Sequence, residues 1–497
     1  MRKIRLFASP LAIAAILSAC AVVPNYARPD IDVPTRFAGP QPAPPAGQSV
    51  DPARWWDAFD DSVLTGLIDR ALRDNPDVAT AASRVRQARL QEIQARSQFK
   101  PLINANVGAT DVKFSKNAGF SSLARAFSGG SGSGTESGTG SGVALPGDSI
   151  LTYAVGFDAN WELDLFGGGR RGAEAAVART RAAEWTQRDA AVTLAAEVAD
   201  AYFALRLDLQ QVTMLDGEIE RQTRAQQISA NIARVGLVPA INVTRQNGNI
   251  TATRARLEPI KADAETRKHA LAILLGQPPE ALADELGGTL PPLIAAPEIP
   301  PGLPSDLLRR RPDIRAAERQ LAAATADVGI AVADLYPKFT LTGMAQLIST
   351  ALRTLFTGDS LQLTGSGQAT FPLFDWGRRK AIVGLRKEDR EQAYLAYRKT
   401  VLQALRDVED PLAQIDAERR RNMLLGQAVA DTERSVAADL ARYKSGLVAQ
   451  DAVINGQIDV LRAREQLAAS DAQLRQETIA LFKAIDGGWS EGPASAS

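Results

Sequence analysis

The chain has 497 residues, 45% apolar but only 6% aromatic, with 57 Lys+Arg against 57 Asp+Glu. One hydrophobic core stops growing near roughly 250–300 residues, so a single compact domain is excluded, and the balanced charge argues against nucleic acid as a partner. One Cys and one His leave no disulfide within the chain and no Cys/His zinc site. The low aromatic share beside so much Ala, Leu, Gln and Arg predicts long helices.

Arg2, Lys3 and Arg5 precede a short apolar run, Leu6 to Ile16, which ends in Leu17-Ser18-Ala19-Cys20. The run is well under the roughly 20 residues of a spanning helix and reads as a signal peptide over residues 1–19. Its ending resembles the bacterial lipoprotein box. That resemblance implies cleavage after Ala19, and an S-diacylglycerol and N-acyl group on Cys20. Ala21 in place of Asp after the Cys implies sorting to the outer membrane. Cleavage removes three positive charges, leaving 54 against 57 and a net charge of −3. Residues 20–55 then read as a lipidated Pro-rich tether: eight prolines between Pro24 and Pro52 exclude a helix.

Two halves follow, 56–290 and 291–488, with a disordered tail predicted over 489–497. Asn75-Pro76-Asp77-Val78 matches Arg311-Pro312-Asp313-Ile314, 236 positions later. Leu165-Phe166-Gly167-Gly168-Gly169-Arg170-Arg171 matches Leu373-Phe374-Asp375-Trp376-Gly377-Arg378-Arg379, 208 positions later. The difference of 28 predicts an insertion in the first half, around the Gly/Ser run Ser128–Gly142, which reads as a flexible extracellular loop. Gly236-Leu237-Val238 matches Gly446-Leu447-Val448, 210 positions later.

Each half predicts a helix, a hairpin, a very long helix, a turn and another long helix. The hairpins fall at about 102–165 and 338–374. Ile103, Ala105 and Val107 alternate with Asn104, Asn106 and Gly108, and Phe339 and Leu341 alternate with Lys338 and Thr340. Strands of roughly ten residues, apolar on one face and polar on the other, are the pattern of a transmembrane barrel. The long helices should span Arg170 to Val235 and Gly377 to Ser445, the second kinked at Pro411. Val453, Val460, Leu467, Leu474 and Leu481 keep a seven-residue period, as do Val198, Leu205, Val212 and Ile219, which predicts coiled-coil packing. Four strands cannot close a barrel, whereas three chains supply twelve. The expected fold is therefore mixed membrane α/β: a trimeric 12-stranded barrel continued by a helical tunnel, with a two-fold internal repeat.

These motifs together resemble the outer membrane factor (TolC-like) family, in its lipoprotein branch of OprM- and NodT-type efflux proteins. The resemblance implies a homotrimeric exit duct that passively conducts small molecules from periplasm to exterior. Its implied partners are a periplasmic adaptor and an inner membrane transporter of the resistance-nodulation-division (RND) type, as well as outer membrane lipid. The turns at Gly236, Leu237 and Val238 and at Gly446, Leu447 and Val448 would be the tunnel tips that meet the adaptor. A family gate Asp would fall on Asn455 by spacing. Asp451 lies one turn earlier and Asp459 one turn later, so Asp451 is the expected acidic ring, with Arg442 within reach of it.

Other chemistry is weak here. Gly167–Gly169 before Arg170 suggests a phosphate nest, but Asp375-Trp376 in the second half would ruin it, so a strand-to-helix turn is the expectation. No Walker pattern occurs, His269 stands alone, and no Gly-x-Ser-x-Gly elbow occurs, so no enzyme and no cofactor is expected. Asp158, Glu162 and Asp164 read as lumen lining rather than an acid/base pair. The competing readings are a duct for type I protein secretion and a structural, periplasm-spanning lipoprotein without a channel.

Overall fold

The computed structural model describes residues 25–39, 52–113, 149–236, 239–288, 290–297 and 304–485. Cys20, the Ser128–Gly142 run, Leu237, Val238 and the expected tail lie outside them. A 3-10 helix, Pro52–Phe59, leads into α1 (Ser62–Asp74) and α2 (Pro76–Ser97). The hairpin β1 (Leu102–Lys113) and β2 (Ser149–Leu163) follows, then α3 (Gly168–Arg234) and α4 (Ala240–Leu274). The second series is α5 (Pro304–Arg310), α6 (Pro312–Ala333), β3 (Lys338–Ser349), β4 (Leu361–Thr370), α7 (Arg378–Lys444) and α8 (Gln450–Ile485). No helix among the described residues is long and apolar enough to cross a membrane.

The caps follow from sequence. Asp61 accepts the N–H groups of Val63 and Leu64 at 3.0 and 3.2 Å, and Asn75 accepts those of Asp77 and Val78 at 2.7 and 3.2 Å. Each satisfies donors that a helix start leaves free. α2 and α6 both have 22 residues and β1 and β3 both have 12, the second of each pair starting 236 positions later. α3 and α7 have 67 residues each, at a spacing of 210. A left-handed glycine starts each of these helices, Gly167 with φ 83° and Gly377 with φ 85°, again 210 apart. The motif spacing of 208 is thus two residues out, because the left-handed glycine, not the Arg pair, fixes the turn. The extra length in the first half becomes 26 residues.

By backbone contacts the chain divides into two units, one holding the sheet and one holding most of the helices. The sheet is antiparallel, in the order β1-β2-β3-β4. Asn104 opposes Asp158, Asp158 opposes Met344, and Met344 opposes Thr364, so even-numbered residues share one face and odd-numbered residues the other. The odd face exposes Ile103, Val107, Phe157, Leu341 and Leu363, and the even face carries Asn104, Asn106, Asp158, Gln346 and Gln362. β1 and β4, the two edges, are exposed along their whole length. Both outer ends stop short of the predicted hairpins, β2 at Leu163 and β4 at Thr370.

The helical unit has a core of its own. Trp55 stacks on Phe482 at 5.0 Å, and Phe59 packs on Phe203 at 5.0 Å. Tyr202 donates to the buried Asp61 carboxylate at 2.7 Å, Arg206 donates to it at 3.3 Å, and Arg206 also donates to the Pro291 carbonyl. The Pro-rich segment is fastened rather than loose. The Ala38 and Gly39 N–H groups both donate to Glu409, at 2.7 and 2.9 Å, and Phe37 is buried. α7 runs through Pro411, which is buried. On α8 the most buried seven-residue series is Leu461, Ala468, Arg475 and Phe482, one residue beyond the predicted one over most of its length.

Candidate functional site

The second tip is built by the end of α7 and the start of α8. Gly446 has φ 72°, a conformation that costs a side-chain-bearing residue. Its N–H donates to the Tyr443 carbonyl and the Leu447 N–H donates to that of Arg442, both at 2.9 Å. This pair of bonds closes a Schellman C-cap. Gly236, with φ 76°, also ends its helix, α3, in the left-handed region, its N–H donating to the Ala233 carbonyl at 3.0 Å. The tips leave apolar side chains in solvent: Val235, Ile241 and Leu447 are all exposed.

Polar contacts tie α3, α4 and α8 together behind the tips. Gln246 donates to Ser229 at 2.9 Å and Ser229 to Gln450 at 2.8 Å. Arg245 of α4 pairs with Asp451 of α8 at 3.1 Å, and Arg256 with Glu465 at 2.9 Å. Leu215, Leu257 and Leu461 form an apolar cluster among the same helices.

Asp451, Asn455 and Asp459 follow one another at a spacing of four and are all exposed, so they form one stripe along α8. Among the described residues the cation on Asp451 is Arg245, not Arg442, which pairs with Asp439 at 3.7 Å. Arg245 was not legible as a site residue: its contact with Asp451 spans 206 positions, and no motif marks it. Asp459 pairs with Arg462 at 3.3 Å. Val448 is half-buried.

On the sheet, Asp158 accepts from Asn104 at 3.1 Å and from Asn106, across the polar face. Glu162 lies 3.6 Å from Lys338. Asp164 departs from the expected lining role. It lies one residue past β2 and accepts the Arg170 N–H at 2.8 Å, capping α3. The glycines beside it serve packing: a Cβ on Gly169 would meet the Phe99 ring at 2.3 Å. His269 is exposed on α4.

A family model described as outer membrane efflux protein matches residues 67–277 and 303–487. The chain is 31% identical over 498 residues to the outer membrane protein OprJ of Pseudomonas aeruginosa, covering 99% of this chain and 98% of that one. It is 29% identical to the probable outer membrane lipoprotein SilC of Salmonella typhimurium, covering 96% of this chain and 97% of that one. Among solved structures, the outer-membrane channel OprN is similar with a TM-score of 0.82 and 28% identity, over 95% of this chain and 100% of the other.

Proposed function

The chain belongs to the outer membrane efflux protein family, and we propose that it is the exit duct of a tripartite efflux system, conducting small molecules passively from periplasm to exterior. One observation carries this reading: an open four-stranded sheet with its polar side chains gathered on one face and an exposed apolar face on the other. In hydrocarbon every backbone donor and acceptor must be paired, so such a sheet spans a bilayer only when its edges close. Three copies make twelve strands, an admissible barrel. The odd face then meets lipid and the even face, with Asp158 and Glu162, lines water.

The two successive halves, 56–290 and 291–488, each contribute one hairpin to the barrel and one long helix pair to the tunnel. At 1.5 Å per residue a 67-residue helix reaches about 100 Å, a length suited to a periplasmic duct. Likeness to a protein named as a lipoprotein, together with Leu17-Ser18-Ala19-Cys20, supports acylation of Cys20. The exposed apolar tips, with Leu237 and Val238, suit the hairpins of a periplasmic adaptor, and an RND transporter stands behind it. The stripe Asp451, Asn455 and Asp459 forms the gate, and the Arg245 pair holds α4 against α8 in the closed state.

The test is conductance. The purified chain in planar bilayers should give discrete single-channel steps, and a correctly folded protein that leaves the bilayer silent would overturn the duct in favour of a structural lipoprotein.

A further inference from the structure

Residues 27–39 form no helix or strand, yet the helical unit holds them. Arg28 donates to the Leu308 carbonyl of α5 at 2.8 Å. Phe37 is buried. The Ala38 and Gly39 N–H groups share the Glu409 carboxylate of α7, one on each oxygen, at 2.7 and 2.9 Å. Hydrogen bonds to an ionised acceptor are about twice as strong as neutral ones. Gly39 also lies against Leu412: a Cβ on it would stand 3.0 Å from the Leu412 Cβ. This strap therefore grips α7 on both sides of Pro411.

Pro411 is where α7 bends most easily. It has no N–H to give the Asp407 carbonyl, four residues earlier, so the helix lacks a bond there. The internal repeat does not demand this. At the spacing of 210, Val408-Glu409-Asp410-Pro411-Leu412 answers Val198-Ala199-Asp200-Ala201-Tyr202. Where the second half has Glu409 and Pro411 the first has Ala199 and Ala201, Ala199 is fully buried, and a 67-residue helix forms all the same. Burial divides α7 near the same point. Its buried residues all lie between Tyr397 and Ile415, and none is buried from Asp416 to the end at Lys444. That lower stretch leads into the Gly446 turn and, beyond it, Asp451 on α8.

We infer that residues 27–39 are a latch on a hinge in α7. Seated on Glu409 and Leu412, they hold the helix at one bend and the tip closed; released, they let the lower stretch swing and the tip open. This rests on the tip gate proposed above and adds what restrains it. A bend at Pro411 changes how Glu409 sits relative to Leu412, and these are the two residues that the strap holds. Seating of the strap and bending of the helix are therefore one equilibrium. With the strap seated the Arg245–Asp451 pair is formed, so the seated state is the closed one.

Bilayer recordings of the full chain test the latch in both directions. Glu409→Ala puts the first half's own residue into α7 and removes both bonds. It should raise open probability about tenfold, as expected for losing a hydrogen bond to a charged group. Glu409→Gln keeps one acceptor oxygen and should raise it less. Gly39→Cys/Leu412→Cys, in a Cys20→Ser background, fastens the strap instead. A disulfide holds its Cβ atoms about 3.5–4.5 Å apart, a little beyond their separation here, and the strap can yield that much. Oxidation should lower open probability and reductant should restore it, with alkylation and mass spectrometry reporting the bond. Equal open probability in the bridged and the reduced protein overturns the latch, even where Glu409→Ala fails to assemble. Two cysteines that do not bridge in folded, conducting protein overturn the seated strap itself. A parent chain that folds but never conducts removes the duct reading, and the latch with it.

Discussion

The helical unit and the sheet differ in how much of each a single chain completes. The helices bury Trp55, Tyr202, Phe203 and Phe482 among themselves and pair their buried charges, as Asp61 does with Arg206. The sheet buries almost nothing: both its edges are exposed and its apolar face carries Val107 and Leu363 in the open. A core closed within one chain confers stability on that chain. A face left open specifies what must arrive later; in the duct proposed above that is lipid on one side and another copy at each edge. Variants in the two regions should therefore be read by different assays, unfolding for the first and assembly or conductance for the second.

The largest effect is expected at Asp61. Asp61→Ala removes a helix cap and leaves Arg206 buried without its carboxylate, a loss of about 3–5 kcal/mol. Thermal unfolding followed by helical circular dichroism should show it, and a melting temperature equal to that of the parent would mean that this core does not hold the unit.

Asp200 sharpens the same contrast through pH. Burial raises its carboxyl to about 6, Lys483 opposes the rise, and Glu477 and Glu197 add to it. One of its carboxylate oxygens is buried without a partner. The unfolded value is near ~3.9. Between pH ~4 and ~6 the folded state therefore holds a proton that the unfolded state has released, so this group's contribution to stability falls as pH rises through that window. Asp200→Asn should flatten the slope and stabilise the helical unit at pH ~7.5 by up to about 3 kcal/mol. Melting curves at the two ends of the window decide it; parallel slopes for variant and parent would exclude Asp200 as the titrating group.

At the tips the expected effect is smaller in stability and larger in function. The Arg245–Asp451 pair is exposed on both sides and contributes no more than about 1 kcal/mol. Such a difference still shifts a two-state gate about fivefold. Asp451→Ala and Arg245→Ala should each raise open probability, and Asp451→Ala should also lower cation preference. Asn455→Ala should do less, since an amide carries no net charge. Unchanged open probability and selectivity in Asp451→Ala would move the gate to packing at Leu447 and Val448.

The smallest effect on stability is expected from Cys20→Ser, within about 0.5 kcal/mol, as for other changes away from a core. Labelled palmitate should no longer be incorporated, and label retained by the variant would count against the acylated Cys20.

The same division explains what the sequence made legible. Strands and long helices announced themselves through local period, and the ends of α3 and α7 came within two residues of their places. Gly236 and Gly446 were readable because a helix end needs a left-handed residue and few residues supply one cheaply. Contacts between distant segments were not readable: nothing local joins Trp55 to Phe482, Arg245 to Asp451 or Glu409 to Gly39. The spacing of 208 misled because two Arg residues recur there, while the backbone keeps 210 through the left-handed glycines. Asp164 continued the alternation of β2 in sequence, yet the chain had already turned to cap a helix.

In the proposed duct, this chain's sheet is one third of a closed wall. The mass of the detergent-extracted protein by native mass spectrometry tests it most directly. A three-chain species that keeps its strand signal is the expected result. A monodisperse single chain with the same strand content, stable in detergent, would contradict it.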